Sequence, residues 1–366
     1  DLRALEQQPP HVLGLSAYLW NMDILRPLIP EVRRRLPGTH IVVGGPGAAA
    51  FAQDARGAHT VVLGPGELAM AGLLEEFNCE RDHGRASGAP RVITGRNPQG
   101  RWLDPVTSPY LSNVFSPPGT LFYWETSRGC PHRCAFCILG LHRTPLRWFS
   151  LDFLAAELAR ARDNGKTNVD ICDAALNYNT RRLGEIAEMT RAVDPDRRLE
   201  FTFALHSDYV TDEQVAHLSR MNIRSCAVGL NSVNPDTFAH SGRRIDPDAF
   251  ARAIAMLNAA ARPGVTIILG LPGDTPAGLR RTLDFCAGLQ ADTYIYHLKI
   301  FPGTPFHKHA ADLDIATDPC DGMSIRSCFS FSEQELEQMR DTARDYAARH
   351  TRIEIGDHAP GAHGPR

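Results

Sequence analysis

The 366-residue chain carries 39 Lys and Arg against 42 Asp and Glu, a net charge of −3 at pH 7, with 43% hydrophobic and 22% charged residues. That composition suits a globular enzyme of one large or two ordinary domains, and its charge gives no reason to expect nucleic acid or an anionic membrane as a partner. No apolar run approaches the ~20 residues of a membrane span, and no signal peptide opens the sequence.

Residues 1–80 alternate apolar strands with helices. The stretch "HVLGLSAYLW" reads as a strand running into a loop, and "MDILRPLIPEVRRRLP" as a helix stopped by Pro37 and Gly38. "HIVVGGPG" and "AHTVVLGPGE" read as buried parallel strands ending in glycine, the second followed by the helix "LAMAGLLEEF". Such strands build an open, doubly wound sheet, which binds ligands at the carboxyl ends of its strands. Residues 81–118, rich in Gly, Pro, Arg and Ser, read as a linker with a short strand around "RVITG". The alternation returns over residues 119–310, where the strands are "LFYWETS", "TNVDICD", "LEFTFAL", "RSCAVGL", "GVTIILGLPG" and "DTYIYHLKIF". Helices follow them, capped by Ser150, by Thr211 with Gln214 in a capping box, and by Thr275 ahead of Pro276. Six βα units suffice for a curved, open three-quarter barrel but not for a closed eight-stranded one. Residues 311–366 read as a helical extension and tail: a helix over 333–349 with a capping box at Ser332 and Glu335, then an unstructured "GDHAPGAHGPR". The fold reads as already under way at Asp1, so residues ahead of it are expected.

Nine cysteines, an odd number with three clustered, make a poor disulfide framework and fit a reducing, cytoplasmic setting. The cluster is "TSRGCPHRCAFC", which spaces Cys130, Cys134 and Cys137 as Cys-x3-Cys-x2-Cys. A structural zinc site takes four protein ligands and is closed. An iron–sulfur cubane takes one thiolate per iron, so three thiolates leave one iron open to a substrate or cofactor. Gly129 and Pro131 tighten the turn, and Phe136 is placed to shield one face of the cluster. A zinc knuckle completed by His132 or His142 is the competing reading. Cys328, ahead of the last helix, either lines the site as a hydrogen-atom donor or second metal ligand, or is a small buried hydrophobe.

Cys130, Cys134, Phe136 and Cys137 resemble, residue for residue, the Cys-x3-Cys-x-aromatic-Cys signature of the radical S-adenosylmethionine (radical SAM) superfamily. The resemblance implies a 4Fe–4S cluster with SAM chelated to its open iron, an electron donor such as flavodoxin or ferredoxin, and a partial (β/α)6 barrel. The periodicity gives that barrel independently. In "DICDAALNYN", Asp173, Asn177 and Asn179 fall where relatives place polar groups that receive the SAM amino group or the substrate. In "ALHSDYVTDEQV", His206, Ser207 and Asp208 fall where a side chain meets the SAM ribose or carboxylate. Gly270 in "ILGLPGDT" and Pro302 in "FPGTP" match strand ends that shape turns near the adenine, and Asn231 departs from the Glu that many relatives carry.

One branch of that superfamily carries a cobalamin-binding domain ahead of the barrel, and residues 12–68 resemble its second half. "VLGLSAYLWN" with Ser16, Tyr18, Trp20 and Asn21, "VVGGPGA" with Gly44 and Gly45, and "VVLGPGEL" with Gly64, Gly66 and Glu67 match its strand ends, although Pro65 replaces an acidic residue usual there. Glycines at such ends let the backbone approach a large flat ligand. The resemblance implies that they face the cysteine loop, with cobalamin between.

The fold class expected is therefore α/β: a Rossmann-like, cobalamin-binding-type domain followed by a partial (β/α)6 radical SAM barrel. The expected activity is cobalamin-dependent methylation of an unactivated carbon, through a 5′-deoxyadenosyl radical. The substrate expected is a small molecule, a natural-product precursor or a peptide. A radical SAM dehydratase, epimerase or ring-forming oxidoreductase with a vestigial front domain is the second expectation. A non-catalytic iron–sulfur or zinc protein is the third.

Overall fold

The structure, a computed structural model, describes residues 2–18, 21–52, 57–79, 90–96, 102–104, 106–140, 145–350 and 352–356. The chain divides into two compact units, Asp1–Gly100 with Phe301–Gly303, and Arg101–Ile300 with Thr304–Arg366.

The first unit is built on four parallel strands in chain order: β1 (Val12–Ser16), β2 (His40–Gly44), β3 (Thr60–Leu63) and β4 (Arg91–Thr94). Its helices are α1 (Leu2–Gln7), α2 (Met22–Arg35) and α3 (Glu67–Cys79). Successive side chains of a strand face opposite ways, and the core divides accordingly. Ile41, Val43 and Val61 pack with the α2 stripe Met22, Leu25, Ile29 and Val32, while Val42 and Val62 pack with Leu73 of α3. Both faces are thus covered, which is why these strands read as continuous apolar runs. Pro27 and Pro30 sit inside α2 on its exposed side, where the carbonyls they leave unbonded can meet water.

The second unit carries a sheet of seven parallel strands. Six follow chain order: β5 (Leu121–Trp124), β8 (Asn168–Ile171), β9 (Glu200–Leu205), β10 (Ile223–Asn231), β11 (Pro263–Leu269) and β12 (Asp292–His297). Between β5 and β8 an antiparallel pair, β6 (Ser127–Arg128) with β7 (Arg147–Trp148), closes the base of the cysteine loop. The helices are α4 (Leu151–Asp163), α5 (Thr180–Val193), α6 (Asp212–Leu218), α7 (Phe238–Ser241), α8 (Pro247–Leu257), α9 (Pro276–Ala287), α10 (Pro305–Lys308) and α11 (Glu333–Arg349). A short antiparallel pair, β13 (Ala316–Thr317) and β14 (Ile325–Ser327), precedes α11. The seventh strand, β15 (Ile353–Gly356), pairs in parallel with β12. Among the described residues β5 and β15 do not pair, so the sheet is open, as six-unit reasoning expects, but one strand longer.

Phe201, Phe203 and Leu205 of β9 point to the helical side and alternate with half-exposed Thr202 and Ala204. Helices meet that layer with stripes at helical spacing, such as Phe250, Ala253, Ile254 and Leu257 of α8 and Leu336, Met339, Ala343 and Tyr346 of α11. Each such large side chain fully buried contributes ~1.5–3 kcal/mol. Ser150 and Thr275 cap α4 and α9, and the Ser332–Glu335 capping box is formed. The expected box at Thr211 is not: Thr211 Oγ1 accepts from Gln214 N–H, but the Gln214 side chain turns inward to Asn177 and Thr180. Of the stretch read as a linker, Arg91–Thr94 joins the first sheet, and Leu103 and Val106 are buried in the second unit's core. Residues 357–366 of the tail lie outside the described residues. Among the described residues no helix is long and apolar enough to cross a membrane.

Candidate functional site

The cysteine loop leaves the sheet beyond β5 and is fastened at several points. Asp173, past the end of β8, is buried and accepts four hydrogen bonds at the loop's entry. Thr126 N–H and Ser127 N–H donate to its Oδ1 (2.7 and 3.1 Å), and the hydroxyls of the same residues donate to its Oδ2 (2.5 and 2.6 Å). Burial pushes its pKa up to about 6, against the pull of those bonds. Farther along, Ala135 N–H donates to Ser241 O (2.8 Å) and Phe306 N–H to Ala135 O (3.2 Å). Gly242 sits against the loop with φ +67°, and a Cβ there would lie 2.9 Å from Arg133 O, so only glycine fits without strain. Phe136 packs on the core of the second unit.

Cys130, Cys134 and Cys137 form no disulfide and are half-buried. Burial pushes the Cys134 thiol up to about 11; the Arg243 cation opposes this, and Cys137 and Cys130 add to it. Metal must therefore displace its proton. Among the described residues no three His, Cys, Asp or Glu side chains converge as ligands of a single ion do. Thiolates that each serve a different iron of a cubane need not converge, so the donor set fits a 4Fe–4S cluster. His132 joins no such ligand group among the described residues; its ring stacks on His206 at 3.9 Å, and its Nε2 lies 3.5 Å from the Tyr209 hydroxyl. His142 lies outside the described residues.

Beside the loop, His206 is buried and neutral. Burial first, then the Arg243 and His132 charges, push its pKa down to about 3. Arg243 donates from Nη1 to His206 Nε2 and from Nη2 to Gly229 O (2.8 Å), and its buried Nε has no partner among the described residues. Tyr178 places its hydroxyl 3.2 Å from Cys130 Sγ. Neither Tyr178 nor Arg243 was expected from the sequence. Their only signal there is a tyrosine among the asparagines of "LNYN" and a basic pair after Ser-Gly.

Several expected SAM-binding residues are occupied otherwise. Asp173 braces the loop entry. Asn177, fully buried, accepts from His206 N–H (2.8 Å) and donates to His206 O and Gln214 Oε1, which fixes His206 rather than a ligand. Asn179 caps α5 through Arg182 N–H. At Gly270 a Cβ would lie 2.9 Å from Ile325 Cγ2, so packing requires that glycine. Pro302 falls in the stretch grouped with the first unit. Ser207 is buried and donates its hydroxyl to Asp208 Oδ1 (3.1 Å), and Asp208, past the carboxyl end of β9, is exposed.

In the first unit, Gly44 ends β2 and Gly64 follows β3, so the expected glycines do lie at strand carboxyl ends. Gly45 has a local reason: φ is +92° and a Cβ would lie 2.8 Å from Ala17 O. At Gly64 a Cβ would lie 3.2 Å from Gly95 O. Gly14, Gly44 and Gly66 have no such reason. None has a positive φ, and among the described residues a Cβ at Gly14 or Gly66 would meet no atom within 4 Å and one at Gly44 would only touch Val62 at 4.0 Å. Gly44 at the end of β2 and Gly66 just beyond β3 thus keep the backbone bare of side chains at strand carboxyl ends, where a large flat ligand approaches, and the first unit fits cobalamin in this respect. Ser16 and Glu67 are exposed beside it. Asn21 is occupied in closing its own loop, donating to Ser16 O and accepting from Tyr18 N–H (both 2.8 Å). Trp20 lies outside the described residues. Cys328 is buried, its Sγ 3.2 Å from Ser330 Oγ.

Comparison with known proteins matches residues 2–74 to the B12 binding domain and residues 124–286 to the radical SAM superfamily. The chain is similar to the cobalamin-dependent radical SAM methyltransferase TokK of Streptomyces tokunonensis, 27% identical over 332 residues, covering 81% of this chain and 48% of TokK. It is also similar to 2-(S-pantetheinyl)-carbapenam-3-carboxylate methyltransferase of Streptantibioticus cattleyicolor, 26% identical over 338 residues, with the same coverage of 81% and 48%. The chain thus spans about half the length of these relatives. In fold it resembles the radical SAM methyltransferase TsrM of Kitasatospora setae, with a TM-score of 0.74 at 19% identity, covering 97% of this chain and 82% of TsrM.

Proposed function

The chain joins a B12-binding domain to a radical SAM domain, and from that pairing we propose that it is a cobalamin-dependent methyltransferase acting on an unactivated carbon. Its cofactors are a 4Fe–4S cluster, SAM and cobalamin. When bound, the cluster and SAM supply a 5′-deoxyadenosyl radical, and cobalamin supplies the methyl group. Cys130, Cys134 and Cys137 hold the cluster. Asp173 and the β6–β7 pair fix the loop, Phe136 anchors it on the core, and Arg243 with His206 forms a polar wall at the SAM end. The strand ends carrying Gly44 and Gly66 receive cobalamin.

The observation that carries the reading is a three-thiol loop, in a chain that aligns over 81% of its length with two methyltransferases, one of them the cobalamin-dependent radical SAM enzyme TokK. The substrate proposed is a small natural-product precursor or a peptide, the electron donor a flavodoxin or ferredoxin, and the setting the reducing cytoplasm. Anaerobic purification with iron, sulfide and cobalamin assays, followed by mass analysis of SAM products, tests it. Both deoxyadenosine and S-adenosylhomocysteine are expected. Deoxyadenosine alone, with no cobalamin bound, would point instead to a dehydratase, epimerase or oxidoreductase.

A further inference from the structure

We propose that Tyr178 sets the reduction potential of the cluster site by donating its hydroxyl hydrogen to Cys130 Sγ. The inference rests on the reading of the loop as a cluster site. Tyr178 Oη lies 3.2 Å from that sulfur. Between a thiol and a phenol either atom can donate. A cysteine that ligates iron is a thiolate without a proton, so the hydroxyl becomes the only donor.

The surrounding fold aims the hydroxyl. Tyr178 sits between Asn177, locked to His206 and Gln214, and Asn179, which caps α5. Its ring is flanked by His132 at 5.7 Å and Tyr209 at 5.4 Å, and His132 is itself stacked on His206. A side chain confined on these sides loses little further freedom when it makes the bond. Reduction adds one electron and no proton to the site, and no covalent bond is made or broken. The added negative charge strengthens any hydrogen bond to a ligating sulfur, so the bond favours the reduced form and raises the potential. Tyr178 thereby governs what fraction of the protein a given one-electron donor can arm for SAM cleavage.

The test uses the full chain, reconstituted anaerobically with iron and sulfide, as wild type and as Tyr178→Phe, which keeps the ring and removes the hydroxyl. Iron and sulfide per chain are assayed. The sample is then titrated with dithionite through redox mediators while the paramagnetic signal of the reduced form is followed. The expected result is equal iron content and a midpoint lower by about 59 mV or more, a tenfold fall in the reduced-to-oxidised ratio at fixed potential. An unchanged midpoint in a fully loaded variant overturns the proposal. If Tyr178→Phe loses its iron, 3-fluorotyrosine at position 178 decides. Its more acidic hydroxyl is expected to raise the midpoint, and no movement overturns the proposal. A wild-type chain that takes up no iron and sulfide overturns the cluster reading and this proposal with it, and the iron assay alone identifies that case.

Discussion

Asp173 receives four hydrogen bonds from two consecutive residues, Thr126 and Ser127, at the mouth of the cysteine loop. Asp173→Ala leaves those donors buried without an acceptor, at ~1–3 kcal/mol each. A melting temperature lower by several degrees and reduced iron uptake are expected, read by thermal denaturation and an iron assay on one preparation. Full iron uptake with weakened SAM binding would instead make Asp173 a SAM ligand. Changing Cys130, Cys134 or Cys137 to Ala is expected to abolish the cluster's visible absorbance and all SAM cleavage; a triple variant that still cleaves SAM would end the reading. These cysteines were legible in the sequence because they lie within eight residues of one another. Tyr178 was not, because it reaches Cys130 across 48 positions, and Arg243 reaches His206 across 37. No local window contains either pair.

At the scale of elements, α4 buries an acidic residue in its apolar stripe. Glu157 lies beside Leu154, Leu158 and Ala161 and accepts from the Ser108 hydroxyl (2.5 Å). Burial raises its pKa from 4.5 to about 7, and the Ser108 bond opposes the rise. The folded chain thus holds a proton that the unfolded chain releases. That contribution is complete below about pH 4.5 and is lost as the pH climbs through about 7. Glu157→Gln is expected to raise the melting temperature relative to wild type at about pH 8, by up to ~3 kcal/mol of stability, and much less near pH 4. An equal effect at both would show that ionisation is not the cause. Helix caps were readable where the partner is the next turn, as at Ser150, Thr275 and Ser332. Gln214 was misread because a tertiary partner, Asn177, outcompetes the local one. β15 was missed for a similar reason. Four residues between a helix and a Gly-rich tail carry too little pattern, and they become a strand only because β12 offers an edge, with Thr293 opposite Ile353. Deleting residues 351–366 removes that cover and is expected to produce aggregation detectable by light scattering, since a bare parallel edge templates further pairing. A monodisperse truncated protein would contradict this.

At the scale of the whole molecule, the order of two α/β units was legible because their apolar strands repeat with regular helical spacing. The two kinds of glycine at the strand ends were not separable without coordinates. Gly66→Val places a branched side chain in open space, so the fold should stand while cobalamin bound per chain falls and deoxyadenosine formation persists. Retained cobalamin would remove Gly66 from its site. Gly45→Val meets Ala17 O and a left-handed backbone, and is expected to cost ~1–3 kcal/mol of stability, seen in thermal denaturation with or without the cofactor. The strand order of the second unit also sets a timetable. From β8 to β12 each strand of this sheet pairs with the member of the sheet made before it, so a chain leaving the ribosome can add them to β5 one at a time. β15 breaks that sequence. Residues 298–352 must be synthesised before it reaches β12, an interval of roughly 3–11 seconds at ~5–20 residues per second. For that interval the nascent sheet waits on its last strand, and any slowing of translation over this stretch lengthens the time during which the new protein depends on chaperones.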